Sequence, residues 1–380
     1  MNAPVAITNA HIVTDAEVFL GSLAIEAGRI VAIDRGITSI AAAEDWCGDW
    51  LLPGLVELHT DNLEKHLVPR PGVLWNAHSA MVAHDTQCAA AGITTVLDAV
   101  GIGDMDRGGT RSQTQHGAIA ALRECRDESL LRIDHFLHLR CEVSAHDIVD
   151  AFETYADEPR LRLVSVMDHT PGQRQWRDLV KYRRYAERHG SITDSAFAAL
   201  IERLQTEQAR HAAAHRAAIV AGAHDRAVPL ASHDDTEPAH VMQAHEEGIA
   251  LSEFPTTLAA ALAARDAGIG IIMGGPNLVK GGSHSGNVSA DELARDHLLD
   301  VVSSDYVPAS LLQSAFILGH LDGWSLPSAV RTVSRHPARA VGLMDRGEIA
   351  FGARADLIRV RLSGGMPVVL ATYCGGRRAV

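Results

Sequence analysis

The sequence predicts an α/β fold: a (β/α)8 TIM-like barrel with a small β-domain built from both chain ends. Three observations carry this. Eight short apolar segments alternate with helical stretches through the middle of the chain. Polar, metal-competent residues fall at the ends of nearly all of them. The two termini share a different, β-rich texture. The implied division is 1–50 with 344–380 as the composite β-domain, and 51–343 as the barrel.

The termini come first. VAITNAHIVT and VFLGSLAIEAGRIVAIDRG alternate apolar with polar residues and are punctuated by Gly and Asp, the pattern of a small antiparallel sheet. The stretch GEIAFGARADLIRVRLSGGMPVVLATYCGG near the C-terminus has the same character.

Between them lie LLPGLVELHTD (51–61), ITTVLDAV (93–100), DHFLHLRCEV (134–143) and LRLVSVMDH (161–169). VPLASHDD (228–235), IALSEFPT (249–256), IGIIMGG (269–275) and VVSSDY (301–306) follow. Helical stretches such as EPAHVMQAHEEG and TLAAALAARDAG separate them. SADELARDHLLD opens with a capping box, Ser289 and Glu292. An open doubly wound sheet shares this alternation, so the placement of polar residues has to decide.

The first strand ends in His59-Thr60-Asp61, the second carries Asp98 and the third Glu142. The fourth ends in Asp168-His169, the fifth in His233-Asp234-Asp235, the sixth at Glu253 and the eighth at Asp305; the seventh runs into glycines. Strand side chains alternate, so His59 and Asp61 project to one face. Barrel enzymes draw their active sites from several strand ends at one rim, which is this distribution. Asp235, shortly before Pro238, reads instead as a helix cap. Mixed imidazole and carboxylate ligands suit Zn²⁺ first, with Mn²⁺ and Fe²⁺ as alternatives, in one or two ions, and acidify bound water. Asp305 is the candidate to accept that proton.

Composition narrows the classes. A net charge of -13 argues against nucleic-acid binding, which needs a basic face. Cys47, Cys88, Cys125, Cys141 and Cys374 form no C-x-x-C pair, which excludes a zinc ribbon and fits a reducing compartment. With neither a signal peptide nor an apolar run of membrane-spanning length, the expectation is a cytoplasmic protein with no membrane partner.

PGLVELHTD after an N-terminal β-segment, with a late strand ending in Asp, resembles the amidohydrolase superfamily. That resemblance implies metals in a barrel mouth and a β-sandwich formed by the two chain ends. HTDNLEKH (59–66) with PRPGV (69–73), MDHTPGQRQ (167–175), SHDD (232–235), GGPNLVKGGSHSGNVSA (274–290) and SSDY (303–306) resemble one branch across nearly the whole chain. This is the family of α-D-ribose 1-methylphosphonate 5-triphosphate diphosphatases of the carbon–phosphorus lyase pathway. It implies a phosphorylated small-molecule substrate and release of pyrophosphate. Two features depart from the wider superfamily. Asp61 replaces the second histidine of the usual first-strand motif. The fourth strand has no lysine to bridge two metals, the nearest being Lys181. The metal set expected is His59, Asp61, Glu142, Asp168, His169, His233 and Glu253, with Glu142 similar to the strand-three ligand of sugar deacetylases.

Gly274 to Asn287 is rich in glycine and hydroxyls and holds Lys280, one of only three lysines with Lys65 and Lys181. It reads as a phosphate nest formed by Asn277, Lys280, Ser283, His284, Ser285 and Asn287. Glu64, Lys65, His66 and Arg70 follow the first strand, and Gln173 and Arg174 the fourth; they are the other substrate-binding candidates, although Glu64–Arg70 reads equally as a structural turn. Mg²⁺ on a triphosphate would fit the same picture. His78, His84, His116, His211 and His215 read as solvated surface. The expected oligomer is a homodimer. Two rivals are hydrolysis of a cyclic amide or N-acyl group and a non-catalytic assembly partner.

Overall fold

The computed structural model describes residues 5–103, 110–187, 190–283 and 286–380. Among the described residues, sixteen strands form two sheets. In chain order they are β1 (Val5–Val13), β2 (Val18–Glu26), β3 (Arg29–Arg35), β4 (Glu44–Asp45), β5 (Trp50–Pro53), β6 (Leu55–Thr60), β7 (Ile93–Ile102) and β8 (Asp134–Glu142). Then come β9 (Leu161–Met167), β10 (Leu230–His233), β11 (Leu251–Glu253), β12 (Gly270–Gly274), β13 (Val301–Ser303), β14 (Leu357–Ser363), β15 (Met366–Cys374) and β16 (Arg377–Arg378).

The terminal sheet runs β16-β15-β14-β5-β1-β2-β3, with β4 beside β1. Its pairs are mostly antiparallel, and Ile7, Ile12, Leu23, Ile30, Trp46, Leu51, Leu357 and Tyr373 pack one core beneath it. Both chain ends build it, as their shared texture predicted; this is the β-sandwich part of the fold.

The second sheet runs β13-β12-β11-β10-β9-β8-β7-β6, a parallel (β/α)8 barrel. A parallel bridge from Thr60 to Asp305 joins its first and last strands. Strand β6 (LVELHT) is buried at every position, as expected of a parallel strand covered on both faces. Among the described residues no helix is long and apolar enough to cross a membrane.

The segment 51–61 is two strands rather than one. β5 pairs with β14 and β1 in the terminal sheet, and β6 opens the barrel. Gly54 makes the break: a Cβ there would lie 2.3 Å from Thr94 Oγ1, so only glycine lets the chain pass. Contacts divide the chain into two compact units, Met1–Asp98 with Ala120–Phe136 and Met273–Val380, and Ala99–Ile119 with Leu137–Ile272.

Candidate metal centre and active site

In the second unit, β9 and β10 each deliver a histidine. His233 closes β10, and His169 follows β9 by two residues. Behind each ring stands a fully buried glutamate. Glu142 Oε2 lies 2.7 Å from His169 Nδ1, and Glu253 Oε2 lies 3.1 Å from His233 Nδ1. Glu142 Oε1 also accepts from the His169 amide at 3.1 Å and from Ser144 Oγ at 2.9 Å. Burial works against the Glu142 anion, but the His169 charge and these hydrogen bonds outweigh it and lower its pKa.

With both Nδ1 atoms engaged, the rings present Nε2. Asp234 Oδ2 lies 3.7 Å from His169 Nε2 and 3.5 Å from His233 Nε2. Ligands of a tetrahedral ion at about 2.0–2.2 Å stand about 3.3–3.5 Å apart, close to the observed spacing. An imidazole whose far nitrogen is held by a carboxylate is the usual arrangement of a metal-binding histidine. The donor set fits a divalent ion. Asp234 itself adopts φ 54°, a left-handed backbone that aspartate tolerates better than most residues.

Several expectations in this unit need correction. Asp168 does not join the group: its Oδ1 accepts from the Thr170 amide and its Oδ2 from Gln208 Nε2, each at 3.0 Å, so it ties the loop to the helix Asp194–Asp225. Asp235 is not a cap. The helix Pro238–Glu246 begins after Glu237, and Asp235 is buried, accepting from Ser252 Oγ, Ser232 Oγ and Arg174 Nη1. Arg174 is correspondingly no open substrate contact. It is buried and donates to Asp235 Oδ1 at 2.5 Å and to the His233 carbonyl at 2.8 Å, so it anchors the ligand strand. Gln173 is half-buried at the start of a 3-10 turn.

His138 was missed. It is fully buried, 2.5 Å from Ser165 Oγ, which donates to Glu253 Oε2 at 2.7 Å. Alternation along β8 offered the signal, since His138 and Glu142 fall on one face four residues apart.

The first unit holds the other strand-end group. His59 is buried, with Nε2 3.9 Å from Asp61 Oδ1. The Asp61 amide donates to the Asp305 carbonyl at 2.8 Å, the Asp305 amide to the His59 carbonyl at 3.1 Å, and Thr60 Oγ1 to the Asp305 carbonyl at 3.0 Å. The structure therefore brings His59, Asp61 and Asp305 together, although 244 residues separate Asp61 from Asp305. Beneath them, Glu57 accepts from the amides of His59 (2.7 Å) and Ser304 (2.6 Å), clamping β6 to the end of β13. Burial pushes the Glu57 carboxyl up to about 7. Asp305 has φ 53°, again left-handed.

The first-unit substrate candidates are spread out. Glu64, Lys65 and Arg70 are exposed. Lys65 Nζ donates to the Tyr306 carbonyl and sits 5.0 Å from that ring's centre, while His66 Nε2 lies 2.9 Å from Gln87 Oε1. The expected nest after β12 is partly a helix, Gly275–Lys280, ended by left-handed Gly281. Its final amides are spent: Gly281 N donates to the Leu278 carbonyl and Gly282 N to that of Asn277. Asn277 Oδ1 accepts from the Ala290 amide, Lys280 is exposed, and Ser283 and Asn287 are half-buried. His284 and Ser285 lie outside the described residues.

Two histidines assigned to the surface are not plain surface. His84 is fully buried against Asp98 at 2.7 Å, and His215 Nδ1 is 3.1 Å from the Val143 carbonyl.

A (β/α)8 barrel with a terminal β-sandwich and histidine–carboxylate groups at its strand ends places the chain in the class of barrel proteins built to hold a metal ion at one rim. No protein-family model matches the chain. It is 47% identical over 354 residues, 93% of this chain and 94% of the relative, to the alpha-D-ribose 1-methylphosphonate 5-triphosphate diphosphatase of Escherichia coli (strain K12). Among solved structures it resembles the N-acetylglucosamine-6-phosphate deacetylase of Pasteurella multocida (TM-score 0.63, 14% identity, 99% of each chain). It also resembles the dihydropyrimidinase of Brevibacillus agri NCHU1002 (TM-score 0.60, 14% identity, 99% of this chain and 95% of the other). The chain belongs to the family of α-D-ribose 1-methylphosphonate 5-triphosphate diphosphatases.

Proposed function

We propose that this enzyme hydrolyses the α–β phosphoanhydride of α-D-ribose 1-methylphosphonate 5-triphosphate in phosphonate catabolism, giving the 5-phosphate and pyrophosphate. The observation that carries the reading is the 47% identity to a diphosphatase over nearly the full length of both chains.

Water adds to the α-phosphorus, the bond from that phosphorus to the bridging oxygen breaks, and pyrophosphate leaves with the electron pair. His169, His233 and Asp234 would hold a divalent ion, zinc first with manganese or iron as alternatives, and His59 with Asp61 would offer ligands within their own unit, so that one or two ions are expected. When bound, such an ion supplies Lewis acidity and lowers the pKa of water. Glu142 and Glu253, themselves expected as ligands, would keep the two rings aimed. Asp305 accepts the proton of the attacking water, a role supported by the backbone ladder that ties the residue to β6. Lys280, with Ser283 and Asn287, neutralises phosphate oxygens, and Mg²⁺ accompanies the triphosphate.

The five unpaired thiols support a cytoplasmic setting. The working division is a β-domain of 1–50 with 344–380, extended by β5 to Pro53, and a barrel that begins at β6 and runs to 343, and a homodimer is the expected oligomer.

The test is pyrophosphate release from the triphosphate, measured beside a panel of cyclic amides and N-acyl sugars. Turnover of the panel without pyrophosphate release would favour amide hydrolysis. Turnover of neither would favour an assembly role.

A further inference from the structure

A second histidine–carboxylate group lies in the first unit, and the proposed reaction does not use it. His84, Asp85, Asp98 and His135 are fully or almost fully buried. His84 Nε2 is 2.7 Å from Asp98 Oδ1, His135 Nδ1 is 2.8 Å from Asp98 Oδ2, and His135 Nε2 is 3.3 Å from Asp85 Oδ1. On the far side, Asn62 Nδ2 donates to His84 Nδ1 at 2.9 Å and to Gln87 Oε1 at 3.0 Å.

The donors fix the protons. An amide nitrogen offers only hydrogens, so His84 Nδ1 carries the lone pair and Nε2 the proton that Asp98 accepts. Both nitrogens of His135 face carboxylates, which makes that ring a cation. Burial alone would discharge it, but Asp98 and Asp85 lift it to about 9. Asp85 also accepts from the amides of Arg132 (2.8 Å) and Ile133 (3.2 Å) and from Arg132 Nη1 (3.1 Å). Two anions meet two cations, His135 and Arg132, while burial keeps His84 neutral. A fully satisfied buried network of this kind fixes one geometry.

Two other readings fail on the same observations. Two ligands of one tetrahedral ion stand about 3.3 Å apart or more, whereas His84 and His135 lie 2.7 and 2.8 Å from the Asp98 oxygens, the separation of direct hydrogen bonds. A proton wire to solvent would have to pass through the Asn62 and Gln87 amides or the Arg132 guanidinium, none of which gives up protons readily.

What the network does hold is the turn after β6. Asn62 is the next residue after Asp61. Its amide donates to Thr60 Oγ1 at 3.2 Å, and that hydroxyl donates to the Asp305 carbonyl at 3.0 Å. We infer that His84 is a positioning residue: through Asn62 it sets the turn that carries Asp61 and locks Asp305 against β6. This rests on the proposed role of Asp305, and it extends the working set to a helix residue that never touches substrate.

The experiment compares His84→Leu, which removes both contacts, with His84→Asn, whose side-chain oxygen can accept from Asn62 near the Nδ1 position. Pyrophosphate release is measured per folded protein. The expected result is a kcat loss on the order of tenfold or more for His84→Leu with KM little changed, and recovery of most of it in His84→Asn. A lowered melting temperature with unchanged kcat per folded molecule would overturn the proposal and leave a structural role only. Ring-nitrogen NMR of the wild type at pH 8 provides a readout independent of folding defects and of substrate. His84 protonated at Nε2 alone and His135 at both nitrogens support it. Protonation of His84 at Nδ1, or metal displacing these protons, would overturn it. Absence of pyrophosphate release from the wild type would remove the proposed function, while the spectrum still decides the network.

Discussion

Glu142 Oε2 lies 2.7 Å from His169 Nδ1, inside a strand end where the glutamate is wholly buried and the imidazole a fifth exposed. The contact fixes which nitrogen the ring can offer. Glu142→Gln keeps the shape and removes the charge, so the ring should lose basicity and orientation. We expect metal affinity to fall about 10–100-fold with little change in melting temperature of the loaded protein. Competition with a chromogenic chelator measures it, and unchanged affinity would show that Glu142 does not tune His169.

Asp305→Asn preserves the backbone ladder to His59 and Asp61 and removes only the proton acceptor. Turnover should fall about 10²–10⁴-fold while metal content stays at the wild-type level. Near-normal turnover would take Asp305 out of the reaction.

Arg174→Met leaves Asp235 buried without its cation. Loss of one partner of a buried pair typically costs about 3–5 kcal/mol, so thermal denaturation should shift strongly downward. KM of the folded fraction should hold, because the guanidinium is turned to Asp235 and the His233 carbonyl. A raised KM at unchanged stability would restore Arg174 as a substrate contact.

Lys280→Ala should behave oppositely. The side chain is exposed, so stability should not move, while KM for the triphosphate should rise several-fold and become less sensitive to salt. Steady-state kinetics at two ionic strengths checks it, and an unchanged KM would leave the loop without a phosphate role.

Acid stability should depend on Asp134 at the start of β8. Burial raises its pKa, but hydrogen bonds and charge from Arg354 and Arg346 outweigh this and hold it at about 2, below the ordinary 3.8. A depressed folded value means stability that is present above about 3.8 and is lost as pH falls through about 2. The full shift corresponds to roughly 2 kcal/mol. Asp134→Asn should flatten the stability profile between pH 4 and 2; an identical slope in urea titrations over that window would refute the assignment.

Most of the barrel was legible because its strands are short apolar runs with titratable ends, and β6 to β13 fall within the expected segments except β7, which runs two residues past 93–100. His59, Asp61 and Asp305 could be picked out because strand alternation and strand ends are local properties, while the closure that joins β6 to Asp305 is seen only in the fold. What the sequence hid depended on tertiary partners. His84 sits on the helix Ala77–Ala90, and only the fold shows that β7 brings Asp98 against it. Arg174 could not be told from a substrate contact until Asp235 was seen opposite. The helix Gly275–Lys280 was readable after all: Pro276 in its first turn and Gly281 just past its end are helix punctuation, which the surrounding glycines masked.

Hydrolysis should depend on an ion held by His169 and His233. Metal content and pyrophosphate release, measured together on the wild type and on the His169→Ala/His233→Ala double variant, test it most directly. At least one tightly held divalent ion per wild-type chain is expected, with both that ion and turnover lost in a folded double variant. A double variant that keeps the wild-type metal, or that still releases pyrophosphate at the wild-type rate, would contradict it.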